Sequence, residues 1–574
     1  MSQTAPAKSL AAQIQTSLQR WPSKVSHMIP EGKEFKSVTF SEFEQMVFER
    51  AQALHALGAT RGDRLVIIGE SSFDWALTDW ACQMLGIVSV PIYPTLPPDQ
   101  TSYIAHDCQA KFALCSDKKQ GAKIDSIPTY VWTEGEGDFY PNYTSASTLT
   151  HDEVEKLAEE IQPDDLCTLI YTSGTTGQPK GVMLTNKNIT SMNYNVPFTF
   201  PVDENDSFLS WLPLAHVFER YAGHFLPVSI GATIIYAGSI ATLANDMQKT
   251  NPTVVLAVPR FLNSLKSKVL DGVARKKPFE QKLFNLCLAQ GLAKTQGKFA
   301  PLAGILDKLV ASKIRERTGS NLRFFVSGGA ALPPATCEFF LAMNINVLQG
   351  YGLTETTAAS NLNLPLDNRP WTVGPPIHGV EEKIAPDGEI LIRGDSVMVG
   401  YYNLPEDTKA AIDNEGWFHT GDIGEFEGSH LKITDRKKDL LVLGNGKNVA
   451  PQPVENRLKE GEYIAEAVLL GDGMEHCVAL IIPEFERVQT WLKAKGENEV
   501  DPAKIVERDD IKELIRKEVD AANKTLADYE RVRRHVLVPK AFTVDDGELT
   551  PSLKVRRKVV KEKYADLIHS LEKK

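Results

Sequence analysis

Continuous apolar runs that alternate with helical segments constrain the fold of the first 375 residues most strongly. The run Arg64–Gly69 has no polar alternation, which is typical of a strand buried on both faces. The preceding helix is predicted to begin at a capping box of Ser41 and Glu44 and to close at Gly58. Further strands are predicted at Val88–Tyr93, Leu166–Tyr171, Ile234–Ala237, Val254–Val258, Leu322–Val326 and Ile345–Leu348. This alternation predicts an α/β fold of mainly parallel, helix-covered sheets.

The pattern changes near residue 375, where alternating polar and apolar residues replace the continuous runs. Val380–Ala385 and Glu389–Arg393 flank the turn Pro386–Gly388, which predicts a β-hairpin and a small antiparallel β-barrel. The charged segment Asp435–Asp439 then interrupts the chain, and a smaller α+β region follows. We therefore predict a large N-terminal domain over residues 1–435 and a smaller C-terminal domain over residues 436–574.

Composition narrows the class of protein. The 574 residues are 42% hydrophobic and carry a net charge of −11, which predicts a soluble protein and argues against a nucleic-acid partner. Seven scattered cysteines without a CxxC pair predict reduced thiols and a cytoplasmic location. The stretch Tyr221–Asn245 contains no Asp, Glu, Lys or Arg, but Pro227 and two glycines interrupt it. We predict a helix end, a turn and a buried strand there rather than a membrane span.

The strongest chemical signal is an apolar strand that runs into a loop of Gly, Ser and Thr and ends at Lys180. Glycine frees backbone N–H groups, and the hydroxyls and the ammonium add donors, so the loop suits a polyphosphate. A P-loop kinase motif is absent, because no Gly-Lys-Ser/Thr sequence follows. The candidate phosphate-binding residues are Thr172, Ser173, Gly174, Thr175, Thr176, Gly177 and Lys180.

This loop closely resembles the phosphate loop of the adenylate-forming superfamily, which includes acyl-CoA synthetases, luciferases and peptide-synthetase adenylation domains. Five further stretches resemble motifs of that superfamily in the expected order: Ser327–Pro333 the adenine-side loop, Gln349–Glu355 the adenylate motif, Trp417–Asp422 the ribose motif, Asp435–Asp439 the interdomain hinge, and Gly547–Lys554 the segment with the C-terminal catalytic lysine. The resemblance therefore covers essentially the whole chain and implies a C-terminal domain that moves.

The resemblance implies a role for each motif residue. Tyr351 offers a face to the purine, Thr354 a hydroxyl to phosphate, and Asp422 with Arg436 partners for the ribose. Glu355 and Thr172 are implied ligands of Mg²⁺, since carboxylate and hydroxyl oxygens suit that ion. Nucleotide contacts are also implied for Gly328, Gly329, Ala330, Gln349, Gly350 and Gly352.

Further roles are implied for the C-terminal domain. Lys554 is the implied catalytic lysine, which neutralises the carboxylate and the α-phosphate as they meet. Rotation about Lys438 is expected to exchange the two half-reactions, with Lys437 as the neighbouring candidate. Gly444, Gly446 and Lys447 are expected to face coenzyme A after that rotation.

Trp211–Arg220 resembles a segment of long-chain fatty acyl-CoA synthetases, and it implies that His216 lies near the acyl carboxylate. The implied reaction uses ATP, Mg²⁺ and CoA to convert a long-chain fatty acid, through an acyl-adenylate, to acyl-CoA, AMP and pyrophosphate. The charge-free stretch Tyr221–Asn245 is expected to line or flank the acyl channel.

Three alternatives stay open at this point: a fatty acyl-AMP ligase that serves a carrier protein, a luciferase-like oxygenase, and a catalytically inactive acyl-binding protein. No obligate protein partner and no transmembrane segment are expected. The basic C-terminal helix around Arg556–Lys558 is interpreted as a solvated face. Transient peripheral contact with the inner membrane surface is the alternative for that helix.

Overall fold

The computed structural model describes residues 5–172, 178–543, 546–550 and 555–572. The chain divides into two compact units. The first comprises residues 1–331, 336–383 and 391–419, and the second comprises residues 332–335, 384–390 and 420–574.

The strands alternate with helices along most of the chain, as the apolar runs predict. The strands are β1 Val25–Glu31, β2 Glu34–Thr39, β3 Arg64–Ile68, β4 Val88–Ile92, β5 Phe112–Cys115, β6 Thr129–Val131, β7 Leu166–Thr172, β8 Lys180–Thr185, β9 Ser207–Ser210, β10 Thr233–Tyr236, β11 Val254–Ala257, β12 Phe324–Ser327, β13 Asn346–Tyr351, β14 Asn361–Leu362, β15 Val380–Ile384, β16 Glu389–Gly394, β17 Gly400–Tyr401, β18 Phe418–Glu427, β19 His430–Arg436, β20 Leu441–Val442, β21 Asn448–Val449, β22 Ile464–Leu470, β23 Cys477–Pro483 and β24 Val532–Leu537.

The helices cover these strands. They are α1 Leu10–Arg20, α2 Phe40–Ala56, α3 Phe73–Met84, α4 Pro98–Asp107, α5 Lys118–Gly121, α6 His151–Glu160, α7 Asn186–Thr199, α8 Val217–Glu219, α9 Leu226–Ile230, α10 Leu243–Thr250, α11 Pro259–Ala274, α12 Pro278–Thr295, α13 Ala303–Leu306, α14 Ser312–Thr318, α15 Pro334–Ala342, α16 Pro405–Ala411, α17 Pro451–Leu458, α18 Phe485–Ala494, α19 Pro502–Glu507, α20 Asp509–Asn523, α21 Arg557–Lys563 and α22 Ala565–Glu572. Two π-helical turns, Arg220–Phe225 and Asp307–Ala311, interrupt this helical structure.

Two large sheets organise the first unit. The eight-stranded sheet has the order β14-β13-β12-β11-β9-β10-β1-β2, and its neighbours from β13 through β1 pair in parallel. The seven-stranded sheet has the order β17-β8-β7-β4-β3-β5-β6, and its strands from β7 through β6 pair in parallel. The prediction of mainly parallel, helix-covered sheets is confirmed.

The charge-free stretch after Arg220 also folds as predicted. Helix α9 ends at Gly231, whose φ of +75° lies in the left-handed region that glycine adopts readily, and the buried strand β10 follows. Among the described residues, no helix combines the length and apolarity required to cross a bilayer.

The predicted start of α2 is wrong by two residues. Thr39 caps the helix by accepting from the backbone N–H of Glu42, and the Glu42 carboxylate accepts from the Thr39 backbone N–H. Phe40 therefore lies in the first turn, where it is fully buried together with Phe43. Both Thr39 and Ser41 have an acidic residue three positions later, and burial of Phe40 favours the earlier of the two boxes.

The second unit is smaller and has its own core. Strands β22, β23 and β24 form a three-stranded sheet in which β22 pairs antiparallel and β24 parallel to the central β23. Leu469, Ile481 and Ile515 are among the fully buried residues on one side of this sheet. Outside that core, strands β15, β16, β18 and β19, whose residues are divided between the two units, form a four-stranded sheet that includes the predicted hairpin around Gly388.

Candidate active site

The predicted site residues of the first unit follow the carboxyl ends of neighbouring parallel strands. His216 lies beyond β9, Gly328 directly after β12, and Thr354 and Glu355 after β13. These strands belong to the continuous parallel series β13-β12-β11-β9. Ligands of open α/β sheets bind in the crevice outside the carboxyl ends of the strands. The fold therefore brings these residues to the edge where such a ligand binds.

The adenylate motif turns tightly after β13. A side chain at Gly352 would approach the carbonyl oxygen of Ala358 to 2.2 Å, so only glycine fits there. Thr354 and Glu355 form a single 3₁₀ turn, and Thr357 and Ala358 follow with φ values of +53° and +74°. Two successive non-glycine residues in the left-handed region store backbone strain next to Glu355.

The phosphate loop connects two antiparallel strands. Thr172 at the end of β7 pairs directly with Lys180 at the start of β8. Because a strand rather than a helix follows the loop, this differs from a P-loop, as the sequence predicts. The predicted phosphate ligands Ser173, Gly174, Thr175, Thr176 and Gly177 lie outside the described residues.

Lys180 and Glu355 converge through residues that the sequence analysis missed. The Lys180 ammonium pairs with the carboxylate of Asp407 in α16 and lies 5.3 Å from the ring centre of Tyr401. The Tyr401 hydroxyl donates to Glu355 Oε1 at 2.9 Å. Burial and the Glu355 carboxylate both raise the pKa of Tyr401, so its hydroxyl keeps its proton as a donor.

Backbone pairing fixes this cluster in place. Tyr401 in β17 pairs with Val182 in β8, two residues after Lys180. The carbonyl of Glu355 accepts from the N–H of Met398 at 2.8 Å. Lys180, Tyr401 and Glu355 therefore form one constellation, in which a cation lies near the ring of a tyrosine and a carboxylate accepts from its hydroxyl. The ammonium suits a polyphosphate, and the carboxylate suits a divalent cation.

His216 begins the short helix α8. Its Nδ1 atom accepts from the backbone N–H of Phe218 at 3.1 Å, which leaves Nε2 as the protonated nitrogen of the neutral ring. The ring of Phe218 lies against Gly328, where a Cβ would come within 3.1 Å of it. The segment that carries His216 thus packs on the predicted adenine-side loop, and Gly329 and Ala330 of that loop are exposed.

The other adenylate-motif residues are less accessible. Gln349 is buried, and its Nε2 donates to the carbonyl of Pro370 at 2.5 Å. The Tyr351 side chain is 9% exposed, so the nucleotide contact implied for it involves only a small surface. Gly350 pairs with Leu362 in the neighbouring strand.

A buried ionic network lies next to the His216 segment. Arg220 donates to Asp79 at 2.9 and 2.5 Å, and to the hydroxyls of Ser89 and Thr168 at 2.6 Å each. The Nε2 atom of His224 lies 3.3 Å from Asp79. Because Asp79 belongs to α3 and the two hydroxyls to β4 and β7, Arg220 joins three elements of the first unit.

Glu219, the neighbour of Arg220, is also fully buried. Burial raises its pKa from 4.5 to about 8, and the nearby Ser210 hydroxyl and Leu212 backbone only partly oppose this effect. Glu219 directly precedes the π-helical turn Arg220–Phe225, and Arg220 is its first residue. Such turns are frequent near functional sites.

In the second unit, the predicted ribose partners are adjacent. Asp422 in β18 lies opposite Arg436 in β19, and Arg436 Nε is 3.0 Å from Asp422 Oδ1. The Thr420 hydroxyl accepts from the Asp422 N–H at 3.0 Å, so the Thr420 side chain contributes to the local turn. The Asp422 carboxylate pairs with Arg436 across the two strands.

The charged segment at the end of β19 contains two successive exposed lysines, Lys437 and Lys438. The Lys437 ammonium lies 2.6 Å from Asp387 and 3.1 Å from Glu389, and its backbone N–H donates to Gly421. Lys438 follows directly and is exposed. Lys438 is thus the first residue after the ion pairs that Lys437 forms with Asp387 and Glu389.

The predicted coenzyme A residues form a tight exposed turn. The N–H of Gly446 donates to the carbonyl of Leu443, and the N–H of Leu443 donates to the carbonyl of Lys447. Gly446 has a φ of +79°, which glycine adopts without strain. The Lys447 ammonium lies 4.9 Å from the ring centre of Tyr529.

Lys554 lies outside the described residues. The basic residues that follow it are not all solvated, in contrast to the prediction of a solvated face. Arg557 is 17% exposed, and its guanidinium lies 2.6 Å from the carboxylate of Glu455. A guanidinium paired with a carboxylate at this depth is a fixed structural element, which ties the start of α21 to α17.

Comparison with known proteins identifies the family. The model of the AMP-binding enzyme family matches residues 14–402, and the model of the AMP-binding enzyme C-terminal domain matches residues 438–574. Fatty acyl-CoA synthetase A of Dictyostelium discoideum is 32% identical over 95% of this chain and 88% of its own length. A long-chain-fatty-acid–CoA ligase of Mycobacterium bovis is 32% identical over 94% of this chain and 92% of its own.

Solved structures show the same fold. An anthranilate CoA ligase in complex with anthranoyl-AMP superposes with a TM-score of 0.73 at 20% identity, and the alignment covers 97% of each chain. The o-succinylbenzoate CoA synthetase of Bacillus subtilis, bound to its acyl-adenylate, gives 0.69 at 22% identity over 97% of this chain and 98% of its own. The motifs, the parallel strand ends and both family models agree, and this chain belongs to the AMP-binding enzyme family.

Proposed function

We propose that this chain activates a long-chain fatty acid with ATP and transfers the acyl group to coenzyme A. The observation that carries the proposal is the constellation of Lys180, Tyr401 and Glu355 in a chain about 30% identical to long-chain acyl-CoA synthetases over most of its length. ATP and CoA follow from membership of the acyl-CoA ligases; Mg²⁺, the chain length and the residue roles are our proposals.

Lys180 is the proposed phosphate ligand, and Glu355 with Thr172 the proposed ligands of Mg²⁺. Bound Mg²⁺ would neutralise phosphate charge during attack by the carboxylate. The donor set fits, because Tyr401 holds the Glu355 carboxylate and the Lys180 ammonium lies near the ring of the same tyrosine. Lys180 pairs with Asp407, and phosphate oxygens that bind this ammonium would compete with that carboxylate.

His216 is the proposed partner of the fatty acid carboxylate. Because Nδ1 accepts from the backbone N–H of Phe218, Nε2 carries the proton of the neutral ring and is the donor that we assign to the carboxylate. We also propose that the neighbouring stretch Tyr221–Asn245 lines or flanks the acyl chain, where each buried methylene contributes about 0.8 kcal/mol. These properties support an acyl site with a polar mouth and apolar walls.

The two half-reactions require different groups near the same fatty acid carboxyl group. Attack of the fatty acid carboxylate on the α-phosphorus forms the acyl-adenylate and releases pyrophosphate; attack of the CoA thiolate on the acyl carbon then releases AMP. We propose that Lys554 serves the first step and that rotation about Lys438 brings Gly444, Gly446 and Lys447 toward the thiol for the second. Lys438 is the proposed hinge, and Lys437, whose ammonium pairs with Asp387 and Glu389, is the neighbouring candidate.

The variant Lys438→Pro tests the hinge. Proline fixes φ near −65°, so the expected result is normal pyrophosphate release with loss of thioester formation. Lys438→Ala is the matched control, since it removes the same side chain and retains backbone freedom. Normal thioester formation by Lys438→Pro would refute the hinge.

The reaction itself is tested by measuring AMP release from ATP with fatty acids of increasing length, each with and without CoA. The proposal predicts AMP release that requires both CoA and a long-chain acid. Formation of acyl-adenylate and pyrophosphate with no AMP release when CoA is added would favour the acyl-AMP ligase. Fatty acid binding without ATP cleavage would favour an inactive acyl-binding protein.

A further inference from the structure

The segment 259–318, which contains α11 to α14, has a charge opposite to that of the chain. It holds thirteen Lys and Arg against four Asp and Glu, a net charge of +9, whereas the whole chain carries −11. Most of these cations are exposed, including Lys276, Lys277 and Lys282 at the start of α12 and Lys294 and Lys298 at its end. A local positive surface on an acidic protein favours an anionic partner.

The same segment exposes an unusual amount of large apolar side chain. Seven of the sixteen such side chains found in the described part of the chain lie in these 60 residues. They are Leu270 at 36% exposure, Phe279 at 74%, Leu286 at 41%, Phe299 at 88%, Leu302 at 43%, Ile305 at 60% and Leu309 at 53%. Apolar exposure this concentrated marks an interaction surface.

The helices of this segment are folded and leave one side uncovered. Helix α12 buries Phe284 and Cys287, and Cys287 Sγ lies 3.6 Å from the carbonyl of Leu306 in α13. Gln290 in α12 also accepts from the N–H of Leu302 at 3.1 Å. Because α12 has apolar residues all round, its inner side alone cannot cover them.

The exposed residues follow helical spacing. Phe279, Lys282 and Leu286 recur at intervals of three and four residues on α12, and Leu302, Ile305 and Leu309 do so beside α13. Each stripe therefore places apolar side chains on one helical face, with lysines interleaved or at its ends.

We propose that this surface, defined by the exposed lysines and the seven apolar residues of 259–318, binds the anionic face of a lipid bilayer. Helices that lie in the membrane–water interface typically combine Lys with Phe and Leu, as this surface does. Each lysine is attracted to anionic headgroups, and the apolar side chains enter the headgroup–acyl boundary. The surface differs from the basic C-terminal helix, where Arg557 is paired with Glu455.

The composition favours a bilayer over a protein partner. Protein interfaces are depleted in Lys and enriched in Arg, Met and the aromatic residues Tyr, Trp and Phe. The segment contains nine Lys, four Arg and no Tyr, Trp or Met, and its exposed aromatic side chains are Phe279 and Phe299. Contact with a membrane would also give the enzyme direct access to a poorly soluble fatty acid, although binding itself does not depend on the proposed reaction.

The test is co-sedimentation of the full chain with phosphatidylcholine vesicles, with or without phosphatidylglycerol. Binding is expected only with the anionic lipid and should weaken as salt is raised. The charge variant K276Q/K277Q/K282Q should bind at least about tenfold more weakly. The variant K493Q/K512Q/K517Q, which removes three exposed lysines elsewhere, should bind like the wild type.

An apolar variant tests insertion separately. F299S/I305S should lose binding by about tenfold, whereas L366S/V500S, with exposures of 102% and 58% in the wild type, should not. Size-exclusion chromatography identifies properly folded monomer. The proposal would be overturned by equal binding of the chain to neutral and anionic vesicles. Equal binding by each test variant and its control variant would also overturn it. Self-association of the wild type that F299S/I305S abolishes would assign the surface to a second copy of the chain instead.

Discussion

Two cation–carboxylate pairs of the first unit use similar groups in different surroundings. Arg220 and Asp79 are 1% and 0% exposed, whereas Lys180 and Asp407 are 26% and 39% exposed. Each cation lies close to an aromatic ring, Arg220 at 5.2 Å from that of Phe225 and Lys180 at 5.3 Å from that of Tyr401. A buried pair cannot exchange partners without leaving a desolvated charge, whereas an accessible pair can. The first therefore serves folding, and the second suits a site where a ligand replaces one partner.

The largest effect should come from breaking the buried pair. Asp79→Ala leaves Arg220 and His224 without their carboxylate, and loss of one partner of a buried pair costs about 3–5 kcal/mol. Unfolding followed by calorimetry and by tryptophan fluorescence should show this loss, since Trp75 and Trp80 are buried on the same helix.

Asp74→Ala is the matched control for this variant. Asp74 also lies on α3 and pairs with an arginine, Arg50, but its side chain is 45% exposed. We expect a cost of less than about 1 kcal/mol for it, as for other accessible pairs. Equal destabilisation by the two variants would contradict the structural role of the buried pair.

The next effect should come from the accessible pair. Lys180→Ala should lower adenylation about 10²–10³-fold, measured as ATP–pyrophosphate exchange, because a preorganised charge at the phosphates is lost. The unfolding midpoint should stay near that of the wild type. Lys187→Ala removes a nearby lysine that pairs with Asp395 instead, and it should leave exchange unchanged. A large loss of stability in Lys180→Ala would contradict the conclusion that the buried pair serves folding and the accessible pair serves ligand binding.

Glu219 tests how burial changes the pKa of a carboxyl group that has no cationic partner among the described residues. Its pKa of about 8 means that the folded chain binds more protons than the unfolded chain above pH 4.5, so stability falls as pH rises to about 8. Relative to Glu219→Gln, the wild type should lose about 3 kcal/mol of unfolding free energy between pH 5 and pH 7, at about 1.4 kcal/mol per unit.

Thermal unfolding at a series of pH values measures this difference. Glu134→Gln, at an exposed position, serves as the control and should change in parallel with the wild type. If the wild type and Glu219→Gln also change in parallel, the carboxyl is not held protonated by burial.

The smallest effect should come from the hydroxyl between Lys180 and Glu355. Tyr401→Phe removes the hydrogen bond to Glu355 but keeps the ring, so we expect about a tenfold loss of adenylation with a higher Mg²⁺ requirement. Tyr402→Phe is the control on the neighbouring residue. An unchanged Mg²⁺ dependence in Tyr401→Phe would remove Glu355 from the metal site.

The sequence predicted what is local and missed what long-range contacts determine. Strands, their parallel pairing and the position of Lys180 follow from short runs of residues. Asp407 and Tyr401 lie more than 200 residues beyond Lys180, so no local pattern indicates that they meet it. The shifted capping box has a similar cause, because burial of Phe40 decided between two acceptable starts.

Arg220 carried a signal that the motif comparison did not use. It is followed by 25 residues without an ionised side chain, and a charge at the edge of such a stretch requires a buried partner. The partner, Asp79, lies in a helix that otherwise contains many apolar residues. The two isolated charges are readable in the sequence, but their pairing is not.

All seven cysteines are buried and unpaired, and burial raises the pKa of each thiol, for example to about 12 at Cys167 and about 11 at Cys477. Thiol reagents attack the exposed thiolate, which none of these side chains provides in the folded chain. One cysteine added to the surface of each unit would therefore be the preferred attachment point for a fluorescent dye. The natural background needs no cysteine replacement, and the proposed rotation about Lys438 becomes accessible to energy-transfer spectroscopy during turnover.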